Sequence, residues 1–273
     1  MHQKKLALVN DVTGYGRCSI AVALPIVSAL KVQGCILPTA ILSVHTGFAD
    51  YYLDDYTDHM TPYIESWKKN GLTFDGISTG FLGSARQIDI VLDFLRDFKG
   101  PHTLAFIDPV MGDDGQLYPS YTQEMCDEMR RLLAYADVVT PNVTEACELL
   151  GLPYRSDRDL CEDDFTVMAK ALADKGPQGV ILTGIHEGPY IGNVIYHHGR
   201  TSWVKTEKIG GDRSGTGDVF AAIVSASVVR GESLEQSVQK ASDFICRVMA
   251  YTERLDLPHN AGLAFEEYLT TLK

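Results

Sequence analysis

Long apolar runs are missing from this 273-residue chain. The best of them, 20-IAVALPIVSAL-30, covers about half the length that a bilayer demands and is interrupted by Pro25, which excludes a membrane-spanning helix. The stretch MHQKKLALVNDV carries four apolar residues before Asn10 and Asp11, too few for the core of a secretion signal. Positive charge is scarce as well. The 24 Lys and Arg stand against 36 Asp and Glu, a net charge of −12, and leave no electrostatic footprint for nucleic acid or an anionic membrane. No Cys-x-x-Cys pair occurs among Cys18, Cys35, Cys126, Cys147, Cys161 and Cys246, and several of these lie in apolar helical runs. Reduced, buried thiols are expected in place of a disulfide or zinc framework, with the cytoplasm as the expected compartment. Internal repeats, low-complexity tracts and dividing linkers are also missing, so residues 1–273 are expected to form a single domain.

What is present describes an ordinary globular protein: 45% apolar and 22% charged residues, in a chain long enough to bury roughly 75% of its extended surface without a metal or disulfide staple. Short apolar or β-branched runs at 5–10, 35–43, 74–80, 103–108, 137–142 and 179–184 read as strands. Helix-period segments separate them, among them 84–98, with Ile88, Val91, Leu92 and Leu95 on one face, and 120–136. This alternation predicts an α/β fold of three layers, a mostly parallel sheet with helices on both faces. Residues 189–209 break the rhythm and predict an antiparallel edge hairpin turning at His198-Gly199-Arg200.

In such a sheet, ligands bind beyond the carboxyl ends of the strands. The strand-to-helix turns there carry unusual residues: 10-NDVTGYGR-17, 43-SVHTGF-48, 80-GFLGS-84, 108-DPVMGD-113, 140-TPNVTE-145 and 183-TGIHE-187. A further segment, 210-GGDRSGTGDVFAA-222, crowds four glycines and two aspartates ahead of an apolar helix. If Gly215, Thr216 and Gly217 form the first turn of that helix, their N–H groups converge where the helix end carries roughly half a positive charge, which suits a transferring phosphoryl group. Asp218 would repel the phosphate unless it faces the attacking hydroxyl, whose proton a carboxylate can accept. The pair of glycines in 14-GYGRCS-19 invites a dinucleotide reading, but Ser19 replaces the third glycine and the strand at 35–43 ends without a ribose-binding acid.

The D-R-S-G-T-G-D string resembles the signature of the ribokinase-like small-molecule kinases. The order and spacing of the remaining turns, from Leu6 to about Met249, resemble the vitamin B6 kinases (pyridoxal, pyridoxine and pyridoxamine kinases), and within them the bacterial pyridoxamine kinase group most closely. The paired glycine and larger lid usual in sugar-kinase relatives are not visible. The resemblance implies ATP-dependent phosphorylation of the 5′-hydroxymethyl group of a B6 vitamer, with Asp218 as general base and Gly215, Thr216 and Gly217 as the anion hole. It further implies that Asn142 and Glu145 organise Mg²⁺ through water, that Asp108 lies near phosphate and metal, and that Thr183 faces the nucleotide phosphates. His45 and Thr46 would line the ring pocket and Phe81 would stack on the ring. A K⁺ ion near the anion hole and a homodimer are implied by the resemblance alone. Asp11 and Phe81 stand where the commonest pyridoxal kinases have serine and tyrosine, and an anionic Asp11 beside the ring would favour pyridoxamine.

Each side chain also has a plain structural alternative. Asn142 suits a helix N-cap, Asp108-Pro109 a turn that ends a strand, His45 a satisfied strand-end residue, and Phe81 the core. His197-His198 lacks neighbouring ligands and reads as surface. Two other functions remain open: a hydroxymethylpyrimidine kinase of thiamine synthesis, acting on a similar flat alcohol, and a catalytically silent nucleotide-binding regulator. Asp218 weighs against the second, since a pure binder has no need of a base.

Overall fold

A computed structural model describes residues 2–272. The chain runs β1 (Lys5–Tyr15), α1 (Ser19–Ala29), β2 (Gln33–Val44), β3 (Leu53–Asp55), α2 (Thr57–Lys69), β4 (Gly76–Thr79), α3 (Ala85–Phe98), β5 (Leu104–Ile107), β6 (Gly112–Asp113) and β7 (Gln116–Leu117). It continues with α4 (Gln123–Met129), β8 (Val138–Val139), α5 (Val143–Leu150), α6 (Glu162–Ala173), β9 (Gly179–Glu187), β10 (Tyr190–His197), β11 (Arg200–Glu207), α7 (Thr216–Val229) and α8 (Leu234–Arg254).

The six runs that read as strands all join one nine-stranded sheet, ordered β11-β10-β9-β8-β5-β4-β1-β2-β3. From β9 through β2 every neighbouring pair is parallel, while β10, β11 and β3 are antiparallel additions at the edges. Central strands of this kind are buried on both faces, which is why β1 reads Leu-Ala-Leu-Val without polar alternation. Leu6 and Leu8 join the apolar layer under α1, α7 and α8; Ala7 and Val9 join the opposite layer under α2 to α6. Helix α7 is apolar almost all round because it is sandwiched between the sheet and the helices α1 and α8. The expected edge hairpin turns at His198 (φ 49°) and Gly199 (φ 77°), the left-handed pair that a two-residue loop between twisted strands requires.

Three local differences from the sequence reading matter. Strand β1 does not stop at Asn10: after an irregularity between Asn10 and Val12 it stays paired with β2 as far as Tyr15–Val44, whereas β4 accompanies it only to Val9. The ends of β1 and β2, with β3 alongside, thus overhang the carboxyl edge of the sheet, where a plain strand-to-helix turn was expected. The segment 120–136 is α4 followed by a tighter 3₁₀ stretch, Arg130–Tyr135, not one helix. A small hairpin, β6–β7, turns through Asp114 and Gly115 (φ 48° and 75°) just after β5. Among the cysteines, all six are unpaired, but only Cys18, Cys126 and Cys147 are buried, and Cys161 is exposed. No helix among the described residues is long and apolar enough to cross a membrane.

Close approach of α7 to the sheet rests on a missing side chain. A Cβ on Gly76 would lie 2.6 Å from Val229 and 2.8 Å from Leu6. Gly76→Ala should therefore lower stability by about 1–3 kcal/mol in a denaturant titration, the usual cost of overpacking, by pushing α7 off β4.

Candidate active site

The first turn of α7 is built around Gly215. This N-cap residue has φ 79°, and a Cβ on it would lie 1.9 Å from the Arg17 carbonyl oxygen, so no other residue fits. Arg213, buried two positions earlier, holds the loop down: its Nε and Nη2 donate to Glu253 Oε1 (3.1 and 2.9 Å) and its Nη1 to the carbonyls of Leu257 and Pro258 (3.0 and 3.2 Å). Thr216 closes the turn by donating its hydroxyl to the Arg213 carbonyl at 2.8 Å. The backbone N–H groups of Gly217 and Asp218 find no acceptor among the described residues, and a Cβ on Gly217 would meet nothing within 4 Å. Two free amides at a helix N-terminus facing open space make an anion site.

The Asp218 carboxylate is held by neutral donors alone. Asn10 Nδ2 donates to Asp218 Oδ1 at 3.2 Å, and the backbone amide of Ser19 donates as well. The Asn10 amide is itself fixed, its Oδ1 accepting from the amides of Asp11 (2.9 Å) and Phe81 (2.8 Å). Gly80 leaves room for it: a Cβ there would fall 2.4 Å from Asn10 Nδ2. Burial, seconded by the charge of Asp11, raises the Asp218 carboxyl to about 6. Ser19 (φ 54°) bridges the two acids, since its side chain also bonds to Asp11.

Asp108, Asn142, Glu145, Thr183 and residues 215–218 line one cleft of about 440 Å³ at the carboxyl edge of the sheet. Burial, Glu145 and Asp218 together push the Asp108 carboxyl well above its ordinary range. Asn142 is indeed the N-cap of α5, in a reciprocal capping box with Glu145. Glu145 does more than cap: Oε2 accepts from the Asn142 amide (2.9 Å) and Oε1 from the Met111 amide (3.0 Å), while Asn142 Nδ2 donates to the Gly112 carbonyl (2.8 Å). The pair thus clasps the loop that carries Asp108. Burial is the main reason that the Glu145 carboxyl rises to about 7. Among the described residues no three His, Cys, Asp or Glu side chains form a metal cage. Oxygen donors that are themselves hydrogen-bonded fit a Mg²⁺ ion carried on phosphate oxygens and water, not one chelated by the protein alone.

The four residues expected at the ring do not line this cleft. Asp11 is 5% exposed, and its carboxylate is bound by the Thr13 hydroxyl (2.7 Å) and Ser19, so it is turned inward and not offered to a ring. His45 is buried and satisfied at both nitrogens: Nδ1 accepts from the Gly47 amide (3.1 Å), which leaves Nε2 to donate to the Asn260 carbonyl (2.8 Å). Only its ring face is free to touch a ligand. Thr46 is exposed beside it, and Phe81 is half-buried against the core with its carbonyl accepting from Thr39. Sequence reasoning missed Asn10, Ser19 and Arg213 as holders of the base and its loop. It also missed His186, which lines the cleft with its ring bonded to Asp157 (2.9 Å). Arg213 lay in view inside the D-R-S-G-T-G-D string; Asn10 and Ser19 carry no signal until β1 and α1 are placed beside α7.

Gly217→Ala should keep or raise thermal stability, since alanine suits a helix better than glycine by about 0.5–1 kcal/mol, yet its methyl enters the anion space. Calorimetric titration with tripolyphosphate should show binding weakened by about tenfold, the worth of one hydrogen bond to an anion; unchanged binding would place the anion elsewhere.

Comparison with known proteins agrees with this geometry. Residues 21–263 match the phosphomethylpyrimidine kinase family. A hydroxymethylpyrimidine/phosphomethylpyrimidine kinase of Haemophilus influenzae is 30% identical over 199 residues, 70% of this chain and 71% of that protein. A Bacteroides thetaiotaomicron protein provisionally named a phosphomethylpyrimidine kinase, crystallised with pyridoxal, superposes with a TM-score of 0.95 at 39% identity over 99% of this chain and 96% of that one. Pyridoxal kinase from Lactobacillus plantarum superposes with a TM-score of 0.91 at 27% identity, over 99% and 97% of the two chains. With most of its length matched and the fold shared throughout, the chain belongs to the phosphomethylpyrimidine kinase family, whose ribokinase-like fold also serves the pyridoxal kinases.

Proposed function

We propose that the protein transfers the γ-phosphoryl group of ATP to the 5′-hydroxymethyl group of a vitamin B6 vitamer. The observation that carries this reading is Asp218: a carboxylate facing the cleft, free of any cationic partner, beside two unpaired amides at the start of α7. The apolar end of the cleft, with Ile209, Ile245 and Met249, suits a purine face. The phosphates then run along Thr183 toward α7, and the amides of Gly217 and Asp218 receive the charge that grows on the moving phosphoryl oxygens. Asp218 accepts the alcohol proton as the oxygen attacks; at a pKa of about 6 it is ionised at neutral pH yet more basic than an ordinary carboxylate. Bound on the triphosphate, Mg²⁺ would offset phosphate charge, with Asp108 and Glu145 as the nearby acids. Asn10 and Ser19 keep the base aimed.

The vitamin B6 reading over the pyrimidine one is supported by the pyridoxal found with the Bacteroides relative. A thiamine-pathway kinase is the second reading, supported by the family matched and the Haemophilus relative. Since Asp11 is turned inward, nothing in the site favours pyridoxamine over pyridoxal or pyridoxine.

Purified protein with ATP and Mg²⁺ should phosphorylate at least one of pyridoxal, pyridoxine and pyridoxamine with kcat/KM about tenfold or more above hydroxymethylpyrimidine, a gap of about 1.4 kcal/mol in transition-state binding. The reverse ranking would decide for the pyrimidine. Asp218→Asn should retain ATP affinity and lose about 10²–10⁴ in turnover; a variant keeping more than about a third of the rate would send the proton elsewhere. The sign of the pH dependence follows from the raised carboxyl. Rate should fall as pH drops through about 6, where Asp218 becomes protonated, and an acid limb near 4 would remove it as base.

A further inference from the structure

Beside Asp218, against the sheet and the helices α1 and α7, lies a second pocket of about 20 Å³, which is room for a single water molecule. Asn10, Ser78, Asp108 and Asp218 line it with polar side chains, Thr79 borders it from a strand position that alternates to the opposite face, and small or apolar residues such as Ile20 and Ala222 make up the rest of the wall. Strand register fixes which way Ser78 points. It pairs with Leu8 and Phe106, and both belong to the apolar layer under α1 and α7, so alternation along β4 turns the Ser78 side chain to that same face. Ser78 is 9% exposed, and its hydroxyl forms no hydrogen bond within the described residues. A hydroxyl that lines a water-sized pocket beside two carboxylates, without a protein partner, is suited to hold a water.

We propose that this chamber binds one ordered water, and that Ser78 is a positioning residue that holds the Asp218 carboxylate through it. The hydrogen-bond count closes. The water accepts from the Ser78 hydroxyl and from the Asn10 Nδ2 hydrogen not given to Asp218, and donates one hydrogen each to Asp218 and Asp108. A monovalent cation fits less well, because Asn10 Oδ1 is already taken by the amides of Asp11 and Phe81 and the group left facing the chamber is its NH₂. Asp218 then has three neutral anchors, two direct and one through water, and its remaining lone pairs face the cleft. The catalytic half of this inference rests on Asp218 as the base; the water site does not.

A high-resolution crystal structure of the wild-type protein should show a density peak in the chamber within hydrogen-bonding distance of Ser78 Oγ and the Asp218 carboxylate, and a chamber without density overturns the proposal. Two variants test the positioning role: Ser78→Ala removes the hydroxyl, and Ala222→Val fills the chamber while leaving all four polar side chains. Each should lower kcat by about tenfold, the worth of one orienting hydrogen bond, with KM for both substrates within about twofold of wild type. Unchanged kcat in Ser78→Ala, or a loss shared with a rising KM, overturns the role, and does so even if Ala222→Val fails to fold. The two readings fail separately: an active Asp218→Asn enzyme with a filled chamber sinks the base alone, whereas an inactive one without the water sinks only this inference.

Discussion

Everything at this site depends on enclosing one carboxylate without giving it a countercharge. Asp218 sits in the first turn of α7, just after a loop that supplies an arginine, Arg213, and close to a second, Arg17, whose carbonyl packs against Gly215. An ion pair with either would drop the Asp218 carboxyl below its ordinary range and remove its basicity. Both cations are consumed elsewhere: Arg213 by Glu253 and two carbonyls, Arg17 by Glu266 and the Ala261 carbonyl. What remains to hold Asp218 is an amide side chain and a backbone N–H, which orient it at little cost to its proton affinity.

The same two arginines tie the C-terminal segment to the candidate site although it supplies no group to the cleft floor. Residues 257–261 offer carbonyls to Arg213, Arg17 and His45, and so tie the α7 loop, the start of α1 and the end of β2 to one strap. Gly262, at φ 69°, passes so close to Arg17 and Ser214 that a Cβ would lie within 3.0 Å of both. Precision at the base thus comes from long-range crossings of the chain, with Asn10 and Asp218 208 residues apart in sequence. Such contacts have no local pattern.

That division decides what could be read from the sequence. The parallel sheet was legible because doubly buried strands are written as continuous apolar runs, and the α7 cradle because only glycine tolerates the geometry of Gly215. The overhang of β1 was not, since Val12 to Tyr15 mix a threonine and a glycine that locally look like a turn; only pairing with Ile41 to Val44 makes them a strand. The β6–β7 hairpin carries its signal, Asp114-Gly115, just past the string 108–113, whose acids drew the attention. Glu145 is instructive in another way: it caps α5 and also lines the cleft, because the box that clasps the Met111 and Gly112 backbone holds the loop that carries Asp108. Asp11, expected beside the ring, has its carboxylate engaged by Thr13 and Ser19, contacts that no local pattern announces.

In the proposed reaction a pyridine and a pyrimidine alcohol would present the same hydroxymethyl group to Asp218 and receive the same phosphoryl group from the amides of α7. The catalytic floor therefore cannot tell them apart, and discrimination has to reside where the rest of the ring is touched. On the proposed reading that task would fall to the overhang of β1 and β2 with the His45–Phe48 turn, outside the main cleft, where His45 stacks edge-on with Phe48 at 4.8 Å and abuts Gly16. With both nitrogens of His45 spent on the backbone, that surface offers ring faces and main-chain groups more than charged side chains. Recognition of this kind reads shape and a few hydrogen bonds, which separate two flat heterocycles by only a modest factor. A family that holds both pyridoxal kinases and phosphomethylpyrimidine kinases on one scaffold is what such a site would be expected to produce.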